Sequence, residues 1–238
     1  MQYRANSLPE ITKNLLIINV LMFLAASAFK SLPAFLSLHS IYSPNFMPLQ
    51  FVTHMFMHGN VEHIFFNMFA LYMFGGEIER AFGPKRFFIY YFATGFGAAF
   101  LHSVIHYAEI WQTMSYLSEQ QIQIVMAEGS KYLNSSMNYS DPDMGKLNLL
   151  INGRMLGASG AIYGLLAAFG MLYPNRVIYL IIPPIPLKAK YFVLIFGAIE
   201  LYLGVAQANT GVAHFAHLGG AIFGVLLIWY WRKRGAYF

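Results

Sequence analysis

A serine, two histidines and an asparagine lie inside apolar stretches of the sequence, where polar side chains are costly and mark functional sites. Ser159 stands between small residues at the head of MLGASGAIYGLLAAFGMLY, and His217 stands in another apolar stretch. A serine hydroxyl becomes a nucleophile when a base lies within hydrogen-bond reach, and imidazole suits neutral pH. His63 and Asn67, four residues apart on one helical face, can donate to an oxyanion together with the Ser159 N–H. These residue types predict a shielded serine–histidine pair.

A carboxylate partner for the histidine is missing from this prediction. None of the apolar stretches contains an aspartate, so packing alone is expected to orient the dyad. Glu200, in the fifth apolar stretch, has no assigned role, and Glu79 is expected to pair with Arg80 or with a basic residue of the loop. The other histidines near the apolar stretches are expected at helix ends in the membrane interface: His54, His58, His102, His106 and His214.

The composition is that of a membrane protein. Hydrophobic residues make up 58% of the 238 residues and charged residues 11%, against about a quarter charged in soluble domains. A bilayer core takes about 20 apolar residues per helix, and six stretches approach that length: 13–30, 58–76, 86–107, 155–173, 189–206 and 212–231. We therefore expect an all-α membrane protein with six spans. The absence of cysteine excludes disulfides and thiol nucleophiles.

The basic residues predict the orientation of the chain. With six spans both termini lie on one side, and eleven of the fifteen Lys and Arg residues fall on that side. They are Arg4, Lys13, Arg80, Lys85, Arg86, Arg176, Lys188, Lys190, Arg232, Lys233 and Arg234. By the positive-inside rule this side is cytoplasmic, which gives a short cytoplasmic N-terminus (1–12), a six-span core (13–231) and a cytoplasmic tail (232–238). His63, Ser159 and His217 then start their spans at the outer face and lie at similar depth.

Residues 108–153, between spans three and four, form an unusually long outer loop, and loops of this length are commonly functional or disordered. The first half, AEIWQTMSYLSEQQIQIVMAEG, mixes apolar and polar residues and predicts an amphipathic helix at the membrane surface. The second half, NSSMNYSDPDMGK, predicts open loop. The prolines of IIPPIP, before span five, predict a bend at the membrane surface.

Small residues predict a close contact between spans four and six. Gly220 and Gly224 form a G-x-x-x-G face, a pattern that lets helices approach closely. Such a face would pack on the small residues of span four and draw His217 toward Ser159, while Tyr163, one turn after the serine, would stack on the imidazole ring. The expected contact face of span four consists of Ala161, Gly164 and Ala168, while Gly157 and Gly160 let the backbone turn and another helix come close.

Three other interpretations fit parts of the pattern. A serine and glycines in an apolar helix are most often packing residues. A proton-coupled transporter requires buried carboxylates and repeated halves, and here Glu200 is the one candidate carboxylate. A zinc site would use four histidines, although the motif H-E-x-x-H is absent from the sequence: His54, His58, His63 and His217.

Five motifs in order resemble the rhomboid family of intramembrane serine proteases over most of residues 13–231. They are a histidine and asparagine four apart in span two, a G-G-x-x-E segment after it, a G-x-S-G motif, a tyrosine four after the serine, and a histidine before G-x-x-x-G in span six. The matching residues are His63 and Asn67; Gly75, Gly76 and Glu79; Gly157, Ser159 and Gly160; Tyr163; and His217, Gly220 and Gly224.

The resemblance implies that Ser159 is the nucleophile and His217 its base. His63, Asn67 and the Ser159 N–H would form the oxyanion hole. The substrate would be a transmembrane segment of another membrane protein, cut near its outer end, without metal, cofactor or nucleic acid. Span five and the loop VAQANTG after it would act as a lateral gate. A bacterial inner (plasma) membrane is the expected location, with the active site opening outward.

Two features depart from the family pattern. Leu49 and Gln50 stand where the family often has a Trp-Arg pair before span two, which leaves open how the first outer loop docks. The loop 108–153 is far longer than in compact bacterial members and would be either a substrate platform or an occluding lid. A non-catalytic rhomboid-like protein that binds membrane proteins is therefore the alternative function.

Overall fold

A computed structural model describes residues 7–179, 185–206 and 213–236, which are mostly helical. The α-helices of these ranges are α1 (Glu10–Ala28), α2 (Leu32–Leu36), α3 (Gln50–Thr53), α4 (Val61–Ala70), α5 (Gly76–Phe82), α6 (Pro84–Met114), α7 (Glu119–Asn134), α8 (Pro142–Asn152), α9 (Ser159–Leu172), α10 (Ala189–Val205) and α11 (His214–Lys233). A 3-10 helix (His54–Phe56) follows α3, and a π-helical segment (Leu71–Gly75) joins α4 to α5. Two antiparallel pairs of short strands complete the fold: β1 (Leu38–His39) with β2 (Arg154–Met155), and β3 (Val177–Tyr179) with β4 (Pro186–Lys188).

Each predicted apolar stretch contains one helical segment, namely α1, α4 to α5, α6, α9, α10 and α11. Within the described residues, α1, α6 and α11 are each long and apolar enough to cross a membrane, and α9 is a shorter apolar helix. Large apolar side chains such as Leu21, Leu24, Leu194 and Val205 are more than half exposed on the outside of the bundle. Extended apolar surface of this kind is suited to lipid. The fold is therefore that of a helical membrane protein, and the count of six crossings stays a prediction.

Small residues hold α9 and α11 at the centre of the bundle. A side-chain carbon added at Gly220 would overlap the carbonyl oxygen of Gly160, so the two backbones are in direct contact. One turn further on, a carbon added at Gly224 would lie 3.3 Å from the Cα of Gly164 and would overlap the hydroxyl of Tyr90 from α6. The predicted packing of the G-x-x-x-G face on span four is confirmed, with the two glycines as its contact points.

Glu79 of α5 forms hydrogen bonds with the start of α1. Its carboxylate accepts the N–H of Thr12 at 2.7 Å, the hydroxyl of the same residue at 2.7 Å, and the N–H of the preceding residue at 2.9 Å. The first N–H groups of a helix lack intrahelical partners, which makes a carboxylate a suitable cap. The prediction that Glu79 pairs with Arg80 is wrong. Glu77 is the partner of Arg80, at 3.4 Å, and of Arg176, at 2.8 Å.

The long segment 108–153 contains the end of α6 and a helical hairpin, α7–α8. Its first half is helical as predicted, but α6 continues to Met114 and α7 begins afresh at Glu119 behind a Ser118 capping box. The prediction of open loop for the second half is confirmed for residues 135–141 and wrong from Pro142, where α8 begins. Asp141 caps α8 by accepting the N–H groups of residues 143 and 144, and Pro142 occupies the first turn. The hairpin and the end of α6 share a second apolar core, formed by Ile110 of α6 with Val125, Met144, Leu147, Leu150 and Ile151 of the hairpin.

Gln50 holds together the segment between α2 and α4. Its side-chain amide donates to the carbonyls of Phe35 at 3.0 Å and Asn45 at 2.9 Å, and its Oε1 accepts the N–H of His39 at 3.2 Å. The side chain is fully buried. The loop is also tied to the residues before α9 through the β1–β2 pair. Gln50 thus docks the loop at a place where the family often has a different pair of residues.

Two predictions fall partly or wholly outside the described residues. Most of the prolyl run IIPPIP lies in 180–184, between the paired strands β3 and β4. The proposed gating loop VAQANTG lies largely in 207–212, between α10 and α11.

Candidate active site

Ser159 and His217 are in hydrogen-bond contact. Ser159 is the first residue of α9, and His217 lies in the first turn of α11. The Oγ of Ser159 is 2.8 Å from the Nε2 of His217. The close contact of Gly160, directly after Ser159, with Gly220, three residues after His217, sets this separation. The arrangement is a hydroxyl within reach of an imidazole base, as the sequence predicts.

Gly157 shapes the turn before the serine. Its φ of +123° belongs to a region that residues with a side chain rarely adopt. A carbon added there would lie 2.7 Å from the Nε2 of His63. The N–H of Gly157 donates to the carbonyl of His54 at 2.9 Å, which fixes the turn to the 3-10 helix. Glycine is therefore needed for both the backbone conformation and the space beside His63.

One cavity of about 450 Å³ contains the four predicted site residues. Ser159 and His217 line it from α9 and α11, and His63 and Asn67 line it from α4. The remaining walls come from α4, α6, α11, the 3-10 helix and the residues around the serine: His54, Asn60, Glu62, Phe66, Ala98, Met155, Leu156, Gly157, Gly160, Ala213 and Ala216. The structure thus brings together side chains that are up to 154 positions apart in the sequence, from residue 63 to residue 217.

The side chains expected to bind an oxyanion have defined hydrogen bonds. The Nδ1 of His63 accepts a long 3.4 Å bond from the N–H of Gly59, which leaves the Nε2 to carry the proton. The Nδ2 of Asn67 donates one N–H to the carbonyl of His63 at 2.8 Å and retains a second one. The N–H of Ser159 belongs to the first turn of α9, where N–H groups have no partner within the helix.

Tyr163 covers one face of the imidazole ring of His217. The ring centroids are 4.2 Å apart and the planes differ by 8°, so the predicted stacking is confirmed. The hydroxyl of Tyr163 donates to the carboxylate of Glu200 on α10. The tyrosine therefore contacts both the candidate base and a carboxylate that the sequence analysis left without a role.

Glu200 lies on the far side of the His217 ring from Ser159. Its Oε1 is 2.9 Å from the Nδ1 of His217, an ion-pair separation in which the N–H is not directed at the oxygen as a hydrogen bond requires. Its Oε2 is 2.6 Å from the Nδ1 of His214, which is buried rather than a simple interfacial histidine. The prediction that no carboxylate accompanies the dyad is wrong. A usable signal was present, since His214 and His217 share one face of α11 and Glu200 precedes them on the neighbouring helix.

Of the other histidines expected at the interface, His54 and His58 are buried and His102 and His106 are partly buried. His54 is 2% exposed, its Nδ1 lies 2.8 Å from the carbonyl of Gln50, and burial lowers the pKa of His54 to about 4. The His58 ring packs edge-on against the His63 ring, with centroids 5.1 Å apart. His102 and the histidine one turn later pack ring to ring. In the described part of the chain, no three histidine or carboxylate side chains are grouped so that they would hold a metal ion.

An apolar groove reaches the serine from the side of the bundle. It holds about 700 Å³ and runs between α4 and α10, with Ser159 in its wall. Its lining is almost entirely aliphatic and aromatic: Phe66, Phe69, Ala70, Met73, Phe74, Ile162, Tyr163, Leu166, Ile178, Tyr179, Phe192 and Phe196, with Asn67. The site is thus bordered both by a polar cavity and by a surface suited to an apolar segment.

The fold and the site define a helical membrane protein with a serine and a histidine paired below its surface. The Rhomboid domain model matches residues 45–234, which is most of the chain. The chain belongs to the rhomboid family, and the resemblance found in the sequence is confirmed.

Several curated rhomboid proteins are similar to the chain at low identity. Rhomboid protein 1, mitochondrial, of Saccharomyces cerevisiae is 25% identical over 178 residues, covering 75% of this chain and 40% of that protein. Rhomboid protease AarA of Providencia stuartii is 27% identical over 176 residues, covering 73% of this chain and 52% of that protein. RHOMBOID-like protein 12, mitochondrial, of Arabidopsis thaliana is 28% identical over 171 residues, covering 71% and 42%. The chain spans about half the length of these relatives or less.

Proposed function

We propose that this chain is an intramembrane serine protease that hydrolyses peptide bonds in or near transmembrane segments of other membrane proteins. The observation that carries the proposal is the 2.8 Å contact between the Oγ of Ser159 and the Nε2 of His217 inside the polar cavity. Membership of the family and similarity to a relative named as a protease support it. Ser159 is the nucleophile and His217 the general base.

The acylation step uses both residues. The Oγ of Ser159 attacks the carbonyl carbon of the scissile bond and its proton passes to the Nε2 of His217. The electron pair of the carbonyl moves to its oxygen, which becomes an oxyanion. Collapse of this intermediate breaks the C–N bond, and the same imidazole returns the proton to the leaving nitrogen. A water molecule, activated by His217, then hydrolyses the acyl–serine bond by the reverse sequence of proton transfers.

The oxyanion is stabilised by donors from two helices. The Nε2–H of His63, the second amide N–H of Asn67 and the backbone N–H of Ser159 line the same cavity. Fixed donors of this kind lower the barrier because they need little reorganisation as charge develops. Loss of one donor costs about 10²- to 10³-fold in rate in other serine proteases.

The apolar groove between α4 and α10 is the proposed entry for the substrate. Its aromatic and aliphatic lining suits a lipid-embedded helix, and Ser159 lies in its wall. We place both termini on the cytoplasmic side, because eleven of the fifteen basic residues then follow the positive-inside rule. Two of the relatives described above are mitochondrial by name, so we propose an orientation of the chain in its membrane without assigning the organelle.

A cleavage assay tests the proposed function. The purified chain in detergent is incubated with single-span substrates whose helices contain small and helix-breaking residues near the outer end. We expect cleavage by the wild type and none by Ser159→Ala or His217→Ala, with all three proteins showing the same thermal denaturation. A folded wild type that leaves the whole panel uncut contradicts the proposal.

The non-catalytic binder is the second candidate, favoured by the folded hairpin α7–α8 beside the helix bundle. A groove of about 560 Å³ separates this hairpin from α10 and α11. The two candidates differ in one readout. Binding of membrane-protein helices that survives Ser159→Ala, together with the absence of any cleavage, supports the binder and contradicts the protease.

A further inference from the structure

The carboxylate of Glu200 has three polar partners on two neighbouring helices, two of them hydrogen-bonded and the third at ion-pair distance. Tyr163 of α9 and His214 of α11 form hydrogen bonds to it, and the Nδ1 of His217 stands 2.9 Å from its Oε1. Glu200 is only 7% exposed. A carboxylate enclosed by a membrane bundle is costly unless it is paired and hydrogen-bonded. These three contacts fix the position of the Glu200 carboxylate on one side of the His217 ring.

Close packing of α10 on α11 sets that place. Gly204, four residues after Glu200 and therefore on the same face of α10, lets Phe215 and His214 approach. A carbon added at Gly204 would lie 3.2 Å from the Phe215 ring and 3.4 Å from the Cβ of His214. The glycine thus acts as a spacer that brings the carboxylate against the first turn of α11.

A carboxylate at this point selects one tautomer of His217. An ionised carboxylate accepts hydrogen bonds and cannot donate them. The imidazole proton is therefore favoured on Nδ1, facing Glu200, and the lone pair on Nε2, facing Ser159 at 2.8 Å. Only this tautomer can take the serine proton. The opposite tautomer would place an N–H against the hydroxyl and leave an unprotonated nitrogen against the carboxylate.

We propose that Glu200 is a positioning residue that completes a Ser159–His217–Glu200 triad in this chain. The inference rests on the proposed protease function and adds a member to its machinery. It also gives a function to His214 and Tyr163, the two residues that form hydrogen bonds with the carboxylate. His214 and Tyr163 hold Glu200 in place, and the Tyr163 ring limits the tilt of the imidazole.

The proton transfer shows what the carboxylate contributes. When Ser159 attacks the substrate, its proton moves to the Nε2 of His217, which becomes an imidazolium. The Nδ1–H stays on the ring and the carboxylate of Glu200 stays ionised, so no proton passes to the glutamate. The new positive charge faces the negative carboxylate at ion-pair distance, which strengthens the contact and stabilises the transition state. The proton then leaves Nε2 for the departing nitrogen.

The pH dependence of the reaction reports this charge directly. The titratable groups around the pair are Tyr163, His214 and His63, the last of which lines the same cavity as His217. The Glu200 carboxylate favours the imidazolium form, which is inactive as a base. Replacing it with a neutral amide disfavours the imidazolium, so the acid limb of the rate profile should move to lower pH. A purely structural glutamate would change stability without moving this limb.

The test measures the rate at which a fluorophosphonate probe labels Ser159 as a function of pH, with Glu200→Gln, Glu200→Asp and the wild type. For Glu200→Gln we expect a rate about 10²-fold lower at neutral pH and an acid limb at lower pH. Glu200→Asp keeps the charge, so it should retain the wild-type position of the limb and recover part of the rate. Glu77→Gln is the matched control, because that carboxylate pairs with Arg176 at the surface, and it should label as the wild type does.

The outcomes separate this inference from the proposed function. Labelling of Glu200→Gln at the wild-type rate with an unmoved acid limb overturns the triad and leaves the protease intact. A wild type that is not labelled at Ser159 overturns the protease itself. If Glu200→Gln fails to fold, nitrogen-15 NMR of the His217 ring in the wild type tests the triad by identifying the tautomer. A neutral ring with its proton on Nδ1 supports the triad, and a proton on Nε2 contradicts it.

Discussion

The centre of the bundle and the α7–α8 hairpin are both helical, but different contacts hold their helices together. In the centre, α9 and α11 meet backbone to backbone, and a carbon added at Gly220 would overlap a carbonyl oxygen. In the hairpin, a carbon added at Gly129 would overlap the side-chain amide of Asn148, and not a backbone atom. The hairpin core is otherwise made of ordinary aliphatic side chains such as Val125 and Leu147.

The difference indicates which region tolerates change. Backbone contact leaves no side chain to adjust, so any added atom moves a whole helix. Since His217 lies one turn before Gly220, such a movement also displaces the candidate base from Ser159. The hairpin packs as a soluble domain does, and its caps are soluble-type caps built on Ser118 and Asp141. We therefore expect the bundle centre to control activity and the hairpin to control only its own stability.

The largest effect is expected for Gly220→Ala. The added methyl collides with the carbonyl of Gly160, so we expect a loss of about 2–3 kcal/mol in unfolding free energy and loss of Ser159 labelling. Thermal denaturation and probe labelling in detergent measure the two effects. Gly197→Ala on α10 is the matched control, because an added carbon there meets no atom within 4 Å. Wild-type labelling of Gly220→Ala would show that the backbone contact does not set the site.

Leu147→Ala should destabilise the hairpin and leave the site working. Leu147 is fully buried in the hairpin core, and such a truncation costs about 2–5 kcal/mol. We expect faster amide hydrogen exchange across α7 and α8 and an unchanged rate of Ser159 labelling. Loss of labelling would contradict the separation of the two regions and make the hairpin part of the active site.

Glu79→Ala should loosen α1. The N–H groups that Glu79 binds at 2.7 and 2.9 Å lose their partner, and unsatisfied buried groups cost about 1–3 kcal/mol. Amide exchange at the start of α1 and thermal denaturation report this effect. The control is Glu77→Ala, which removes a partly exposed ion pair with Arg176 and should cost less than about 1 kcal/mol. Equal losses in the two variants would argue against the capping role.

Asp141→Ala is expected to have the smallest effect. Its carboxylate caps α8 through two N–H groups at 2.9 and 3.0 Å, and loss of such a cap costs about 1 kcal/mol. Asp141→Asn should retain most of the stability, because asparagine caps about as well. Exchange rates of the first α8 amides measure the difference. A loss as large in Asp141→Asn as in Asp141→Ala would mean that charge, and not capping, matters at this position.

The same contrast explains how far the sequence allowed prediction. The contact of α9 with α11 was predictable, because Gly220 and Gly224 at a spacing of four leave few other ways to pack. The start of α8 was also written in the sequence as Asp141 followed by Pro142, an N-cap signal that a loop interpretation overlooked. Both signals are local, involving residues within one or two helical turns.

The missed features depend on distant contacts. Glu79 caps a helix 67 positions earlier in the chain, and Arg80 beside it offered a nearer but mistaken partner. Glu200 meets Tyr163, His214 and His217 only because α10 has a particular rotation against α9 and α11. Hydropathy does not fix the rotation of a helix that is apolar on most sides. A single carboxylate in such a helix could be recognised as unusual, but its partners required the structure.

Mapping the site of probe attachment tests the central claim most directly. The wild type, Ser159→Ala and His217→Ala are treated with a fluorophosphonate probe in detergent, and the labelled peptide is identified by mass spectrometry. We expect one modified residue, Ser159, in the wild type and no modification in either variant, with unchanged thermal denaturation. A folded wild type without modification at Ser159, or equal modification in His217→Ala, would contradict an activated serine.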